Sequence, residues 1–256
     1  MEWIDTHAHL TMLKHADPSQ AVERASRNSV TRIVTVGTEQ SDWESNRALA
    51  SKLPGVFYAL GLHPHQATDF PKCAVELHEI FSEGVPERCV AIGEVGLDFH
   101  YNHSPKEVQI DIFEAQLAFA YQVGLPVIIH CREAFSELFT SLRKVGLGPR
   151  GGVMHCFSGD ASSAKEALEL GLYLSFSGIV TFKDASQLRE VAKTVPSQCF
   201  VIETDSPYLA PMPFRGKPNE PSYLPLIGKT LASVRNQNEA DIAQLSTENA
   251  IRLFGI

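Results

Sequence analysis

Trp3-Ile4-Asp5-Thr6-His7-Ala8-His9-Leu10 opens the chain and decides how the rest is read. Trp3 and Ile4 lead into an alternating segment, the pattern of a short buried strand. Strand side chains alternate between faces, so His7 and His9 point one way and Ala8 the other. Two imidazoles on one face at a strand end suit a single metal ion, held through neutral nitrogens. A pair of this kind is more often a polar strand end, so its meaning rests on where the other histidines and carboxylates fall.

Working outward, short apolar runs alternate with helical patterns. Strands are expected at Arg32–Gly37, Val56–Leu62, Cys89–Glu94, Leu125–His130, Gly152–His155, Leu172–Phe176 and Cys199–Asp205. Helices are expected from Asp17-Pro18 to about Asn28, Ser41–Lys52, around Val75–Phe81, from Ser104-Pro105 through Ala120, Ala161–Leu170 and Ala185–Lys193. Eight strands, each followed by a helix or long loop, predict a closed parallel TIM (β/α)8 barrel in one domain over residues 1–256. Such barrels run to about 250 residues. The competing open doubly wound sheet lacks a GxGxxG after the first strand. Pro211–Pro225, polar and proline-rich, reads as a substrate loop between barrel elements.

Composition excludes several classes. A net charge of −8 argues against a broad basic face for long duplex, so any nucleic-acid contact is local and helped by bound cations. No apolar run approaches the roughly 18 residues of a membrane span, and Met1-Glu2 starts no basic leader, so the reading is cytoplasmic with no membrane partner. The five cysteines, Cys73, Cys89, Cys131, Cys156 and Cys199, are odd in number and lack CxxC. They read as small packing residues, with Cys131 and Cys156 facing away from His130 and His155.

The polar residues that interrupt the apolar runs gather at strand C-terminal ends: His7, His9, His63, His65, Glu94, His130, His155, Glu203 and Asp205. That rim is where barrel active sites lie. Each histidine singly is an ordinary hydrogen-bonding residue, but together they point to metal. His15, His78, His100 and His103 fall elsewhere and read as solvated.

His7-Ala8-His9, Gly61-Leu62-His63-Pro64-His65, Gly93-Glu94-Val95-Gly96-Leu97-Asp98 and Pro126-Val127-Ile128-Ile129-His130-Cys131-Arg132 resemble motifs of the TatD family of metal-dependent deoxyribonucleases. So do His155-Cys156-Phe157-Ser158-Gly159, Glu203-Thr204-Asp205-Ser206-Pro207-Tyr208-Leu209, Arg215-Gly216-Lys217-Pro218-Asn219-Glu220-Pro221 and Asn249–Phe254. The resemblance covers nearly the whole chain. It implies a barrel of the amidohydrolase-like superfamily in which His7, His9 and Asp205 bind one metal, His130 and His155 a second, and Glu94 bridges. Phe99-His100 departs from the family's usual aromatic pair or aromatic-arginine pair, which touches loop contacts rather than metals.

Two divalent ions about 3.5–4 Å apart suit in-line displacement at a phosphodiester. Asp205 is the candidate base. Glu203 is read as a proton acceptor, a ligand for a further ion or a hydrogen-bonded strand carboxylate. Arg132, Arg215 and Lys217 are candidate phosphate contacts, as are the Ser158 hydroxyl and the Ser158–Gly159 backbone. His63 and His65 are assigned to substrate. Imidazole-rich ligands suit Zn2+, Mn2+ or cobalt, whereas the resemblance implies Mg2+ for nuclease activity. The resulting expectation is a 3′-5′ exonuclease acting on DNA ends or single-stranded DNA, with no obligate protein partner. Hydrolysis of a small ester, lactone, amide or aminoacyl-tRNA on the same metals is the alternative, and a non-enzymatic scaffold retaining structural metal is a third.

Overall fold

The computed structural model describes residues 1–256. Eight strands form one all-parallel sheet in chain order: β1 Trp3–Ala8, β2 Val30–Val36, β3 Val56–Leu60, β4 Cys89–Asp98, β5 Val127–Arg132, β6 Gly152–Met154, β7 Leu172–Phe176 and β8 Phe200–Ile202. The helices are α1 Pro18–Arg27, α2 Gln40–Lys52, α3 Phe70–Ile80, α4 Lys106–Val123, α5 Phe135–Val145, α6 Ala161–Glu169, α7 Ser186–Thr194, α8 Leu224–Arg235 and α9 Glu239–Phe254. This is a TIM barrel, as the strand count and alternation predict.

Local chemistry explains the elements. Asp17 caps α1, accepting from the Ser19 N–H at 2.9 Å, with Pro18 at the first helical position. The α4 helix ends at Gly124 in the left-handed conformation. Most strands are buried on both faces, as parallel strands under helices must be. One apolar layer lies between strands and helices. A second, containing Ile4, Val36, Ala91, Ile128, Val153 and Val201, fills the barrel interior and is plugged from below by Leu253 and Phe254 of α9.

Two departures from the expected boundaries matter to the site. The β4 strand runs on to Asp98 instead of ending at Glu94. Val95 and Leu97 continue the buried alternation, and Gly96, at φ 140°, passes so near the β5 backbone that a Cβ would meet the His130 carbonyl at 2.0 Å. The register with β5 shifts between Ile92 and Val95, an irregularity of the kind that re-aims a side chain, here Glu94. The β8 strand stops at Ile202, and no regular ladder joins it to β1.

That seam is closed by other means. Asp205 N–H donates to the His7 carbonyl at 2.9 Å and His9 N–H to the Ser206 carbonyl at 2.7 Å. The Thr6 hydroxyl donates to the Ile202 carbonyl at 3.0 Å. Buried Asp5 accepts from Thr204 N–H at 2.9 Å and from its hydroxyl at 2.6 Å. Burial pushes the Asp5 carboxyl up to about 8 against the opposing effect of those bonds. The residues that close the barrel therefore also hold His7, His9 and Asp205 together.

Candidate metal centre

Glu94 stands at the middle, almost fully buried, with its two oxygens facing different groups of side chains. Its Oε2 lies 3.5 Å from His7 Nε2 and 3.7 Å from His9 Nε2. Asp205 Oδ1 completes that group at 3.8 and 3.5 Å from the same two nitrogens, which are 3.1 Å apart. On the other side, Oε1 lies 2.8 Å from His155 Nε2, 3.0 Å from His130 Nδ1 and 3.6 Å from His63 Nε2. His130 Nδ1 and His155 Nε2 are 3.2 Å apart.

These separations test the fit of a metal. Ligand bonds of about 2.0–2.2 Å place neighbouring donors about 3.0–3.5 Å apart in tetrahedral or octahedral geometry. Both groups come close to that spacing, and their nitrogen and carboxylate donors suit a divalent cation.

The second nitrogen of every imidazole but His7, whose buried Nδ1 has no partner, sharpens the picture, because an imidazole that donates through one nitrogen offers a lone pair at the other. His9 Nδ1–H donates to the Val36 carbonyl at 3.1 Å, freeing Nε2. His155 Nδ1 is 3.2 Å from Glu203 Oε1, and His130 Nε2 is 3.2 Å from Asp98 Oδ2, so their free nitrogens face Glu94. His63 is the reverse. Its Nδ1 accepts the His65 N–H at 3.2 Å, which leaves the proton on the Nε2 aimed at Glu94. His63 is arranged as a donor.

Charges balance within the cluster. Burial alone would raise Glu94 and Asp205, but the surrounding histidines hold Glu94 well below the carboxylate range and Asp205 below it too. Burial would lower His155, His130 and His9, and is outweighed by Glu94 and Glu203 at His155, by Asp98 and Glu94 at His130, and by Asp205 and Glu94 at His9, so all three are raised. Burial, with His155 adding, lowers His7. Burial also dominates at His63, which falls well below the ordinary value.

A family profile described as "TatD related DNase" matches residues 4–255. This chain belongs to the TatD family. A curated relative from Bacillus subtilis, named an uncharacterized metal-dependent hydrolase YabD, is 42% identical over 98% of each chain. A Klebsiella pneumoniae relative named a 3′-5′ ssDNA/RNA exonuclease TatD is 33% identical over 94% of this chain and 92% of its own. The solved structure of YJJV, a TatD homologue of Escherichia coli, superposes with a TM-score of 0.94 at 31% identity, covering 99% of this chain and 98% of that one. The chain is thus a metal-dependent hydrolase of the TatD family.

In this TatD-family chain the other expected residues divide sharply. His63, His65 and Arg132 line the cavity above Glu94, and Ser158 lines an adjoining one. Glu203 does not reach either cavity wall. Both its oxygens are engaged, Oε1 by Cys156 N–H at 2.7 Å and by His155, and Oε2 by the Ser175 hydroxyl at 2.5 Å. Glu203 thus lies behind His155, and His7, His155 and Glu203 also form a buried group of donors close enough to share an ion.

Arg215 and Lys217 are exposed and lie off the cavity walls. Arg215 packs 4.2 Å over the Phe182 ring, 3.5 Å from Asp184, and Lys217 lies 5.8 Å from the Phe214 ring. Gly159 is buried against the Phe135 and Phe157 rings rather than open to a ligand. Cys131 and Cys156, expected as buried packing residues facing away, are only half-buried and line the adjoining cavity. Tyr208 and Leu209, between β8 and the loop that carries Arg215 and Lys217, line the cavity instead.

Asp98, the last residue of the Gly93–Asp98 motif, joins the site without any sequence signal of its own. It is fully buried, accepts from His65 Nε2 at 3.0 Å as well as from His130, and is held below the carboxylate range by His130, Tyr101 N–H and His65 against the effect of burial. Its position four residues beyond Glu94 becomes informative only once β4 is known to continue. His15, His78, His100 and His103 are exposed, as expected.

Proposed function

We propose that this protein is a metal-dependent nuclease that hydrolyses phosphodiesters at DNA ends, with 3′-5′ polarity. The observation that carries the reading is Glu94 presenting one oxygen to each of two donor groups while an arginine without a carboxylate partner, Arg132, faces the same cavity. The Klebsiella relative's name lends support. His7, His9, Asp205 and Glu94 would hold one divalent ion, and His130, His155 and Glu94 a second, Mg2+, Mn2+ or Zn2+. When bound, such ions supply charge stabilisation at phosphate and lower the pKa of water.

The chain's own groups do the rest. Arg132 shares a strand face with His130 and offers its planar fork to a non-bridging phosphate oxygen. His63 Nε2–H, in the same cavity and 3.6 Å from Glu94 Oε1, is a donor for the phosphate. Asp205 accepts the attacking water's proton as the water oxygen bonds phosphorus, and the 3′ oxygen leaves with the electron pair of its broken bond and takes a proton from solvent. Glu203 and Asp98 fix the orientation and tautomer of His155 and His130. Ser158 borders the space where the rest of the strand would lie.

End-labelled single-stranded and duplex oligonucleotides, followed over time in each metal with wild type and Glu94→Ala, test this. Stepwise shortening of 5′-labelled strands is expected from wild type, with a loss of at least a thousandfold in the variant. Intact DNA beside fast turnover of lactones or carboxylic esters would transfer the site to the alternative chemistry.

A further inference from the structure

A phosphodiesterase needs only the phosphate, yet the cleft extends well past the cation-binding groups. A cavity of about 380 Å³ around His63 and Asp98 adjoins one of about 540 Å³. The two share Tyr101, His130, Arg132, His155, Asp205 and Tyr208, so they are two lobes meeting at the proposed site of cleavage. The larger lobe is walled by Ile179, Leu209, Cys131 and Cys156. Such a surface suits a flat apolar face better than a phosphate or a sugar.

Tyr101 follows β4 and Tyr208 follows β8, and each borders both lobes while 53% and 52% exposed. Both rings are held in place. Tyr101 N–H donates to Asp98 Oδ1 at 2.9 Å, the Arg132 guanidinium lies 4.8 Å from the ring centre, and the His65 ring meets it edge-on at 5.7 Å. Tyr208 N–H donates to the Asp205 carbonyl at 2.9 Å, its own carbonyl accepts from Asn219 Nδ2 at 2.6 Å, and its hydroxyl donates to Met12 Sδ at 3.6 Å. Half-exposed aromatic rings on a cleft wall, one of them packed against an arginine that has no carboxylate partner, are the parts of a single-strand binding surface, where bases stack on rings and the backbone meets positive charge.

We propose that the cleft takes two consecutive unpaired nucleotides, with Tyr101 and Tyr208 each stacking one base and Arg132 on the phosphate between them. This rests on the nuclease reading and adds to it the reason for single-strand selection. Bases in a duplex are already stacked and paired, and must be freed before they can meet either ring. Stacking is tolerant of sequence because every base has a π-face, so little base preference is expected.

The test uses 5′-labelled single strands whose two nucleotides flanking the terminal phosphodiester carry bases or are abasic, cut by wild type, Tyr101→Leu, Tyr208→Leu and the phenylalanine variants. Removing one base should lower wild-type kcat/KM about tenfold. In each leucine variant the ratio of based to abasic substrate should approach one at a single position, a different one for each, and the phenylalanine variants should keep the wild-type ratio. Each ratio is internal to one protein, so a poorly folded preparation does not mimic the effect. Equal wild-type cutting of based and abasic ends, or ratios unchanged by leucine, overturns the stacking proposal and leaves the nuclease standing. Wild type that cuts none of the strands overturns both.

Discussion

Asp98 serves two histidines with one oxygen, Oδ2, at 3.0 Å from His65 and 3.2 Å from His130. In Asp98→Asn the amide can no longer accept from both as a charged group, and His130 loses the partner that turns Nδ1 toward Glu94. Metal affinity should fall about 10–100-fold while the fold is retained, read by calorimetric titration of apoprotein. A second residue-scale test lies outside the site. Glu220 forms a two-toothed pair with Arg24 at 2.6–3.1 Å, tying the loop before α8 to α1. Burial would raise Glu220, but Arg24 and Ser222 hold it below its ordinary value. A depressed folded-state value contributes stability above the unfolded pKa of about 4.3, lost as pH falls through the lower folded value. Glu220→Gln should therefore lower stability by about 0.5–1 kcal/mol at pH 7, with Arg24 about a third exposed, and by progressively less below pH 4. Denaturant melts at pH 7 and pH 3 check this. Residue identity alone marked Glu94 and the imidazoles, because few other roles use so many at strand ends. It does not fix where Arg215 and Lys217 point, because a loop cation has several partners within reach, here the Phe182 and Phe214 rings.

At the scale of elements, periodicity located the eight strands to within a few residues. Helices α5 and α8 escape the sequence reading, and the close of the chain reads only as a motif. The apolar spacing of Phe135, Leu138, Phe139 and Leu142 in α5 was legible, but Ala134 offers no side-chain cap to announce its start. α9 has such a signal in Asn238, which accepts from Asp241 N–H at 2.8 Å, and a stop in Gly255. Its importance comes from where it packs. Phe254 is 1% exposed and closes the barrel interior from the end opposite the metal centre. Phe254→Ala should cost about 3–5 kcal/mol, seen as a lowered denaturant midpoint with unchanged slope, and should leave kcat of the folded fraction near wild type.

For the molecule as a whole, the proposed ligands come from β1, β4 and β5 and from just beyond β1, β6 and β8, while the apolar layers are built without them. Chelation should therefore abolish hydrolysis reversibly and leave the far-UV circular dichroism intact. Loss of ions held at about a hundred times their dissociation constant removes about 2.7 kcal/mol, or roughly 5–10 °C in Tm for a chain of this size. Complete unfolding on chelation would instead favour the scaffold reading, in which metal is structural.

The alternation of buried strands and amphipathic helices was written in the order of apolar residues, since burial on both faces of a parallel sheet demands it. The donor types were written there as well, because few side chains bind divalent cations. Which nitrogen faces which oxygen was not. That Glu94 turns its two oxygens to separate groups and that Glu203 backs His155 depend on residues tens of positions apart in the chain. Closure of the barrel brings those residues within hydrogen-bonding distance, and pairing at that range sets tautomer and charge.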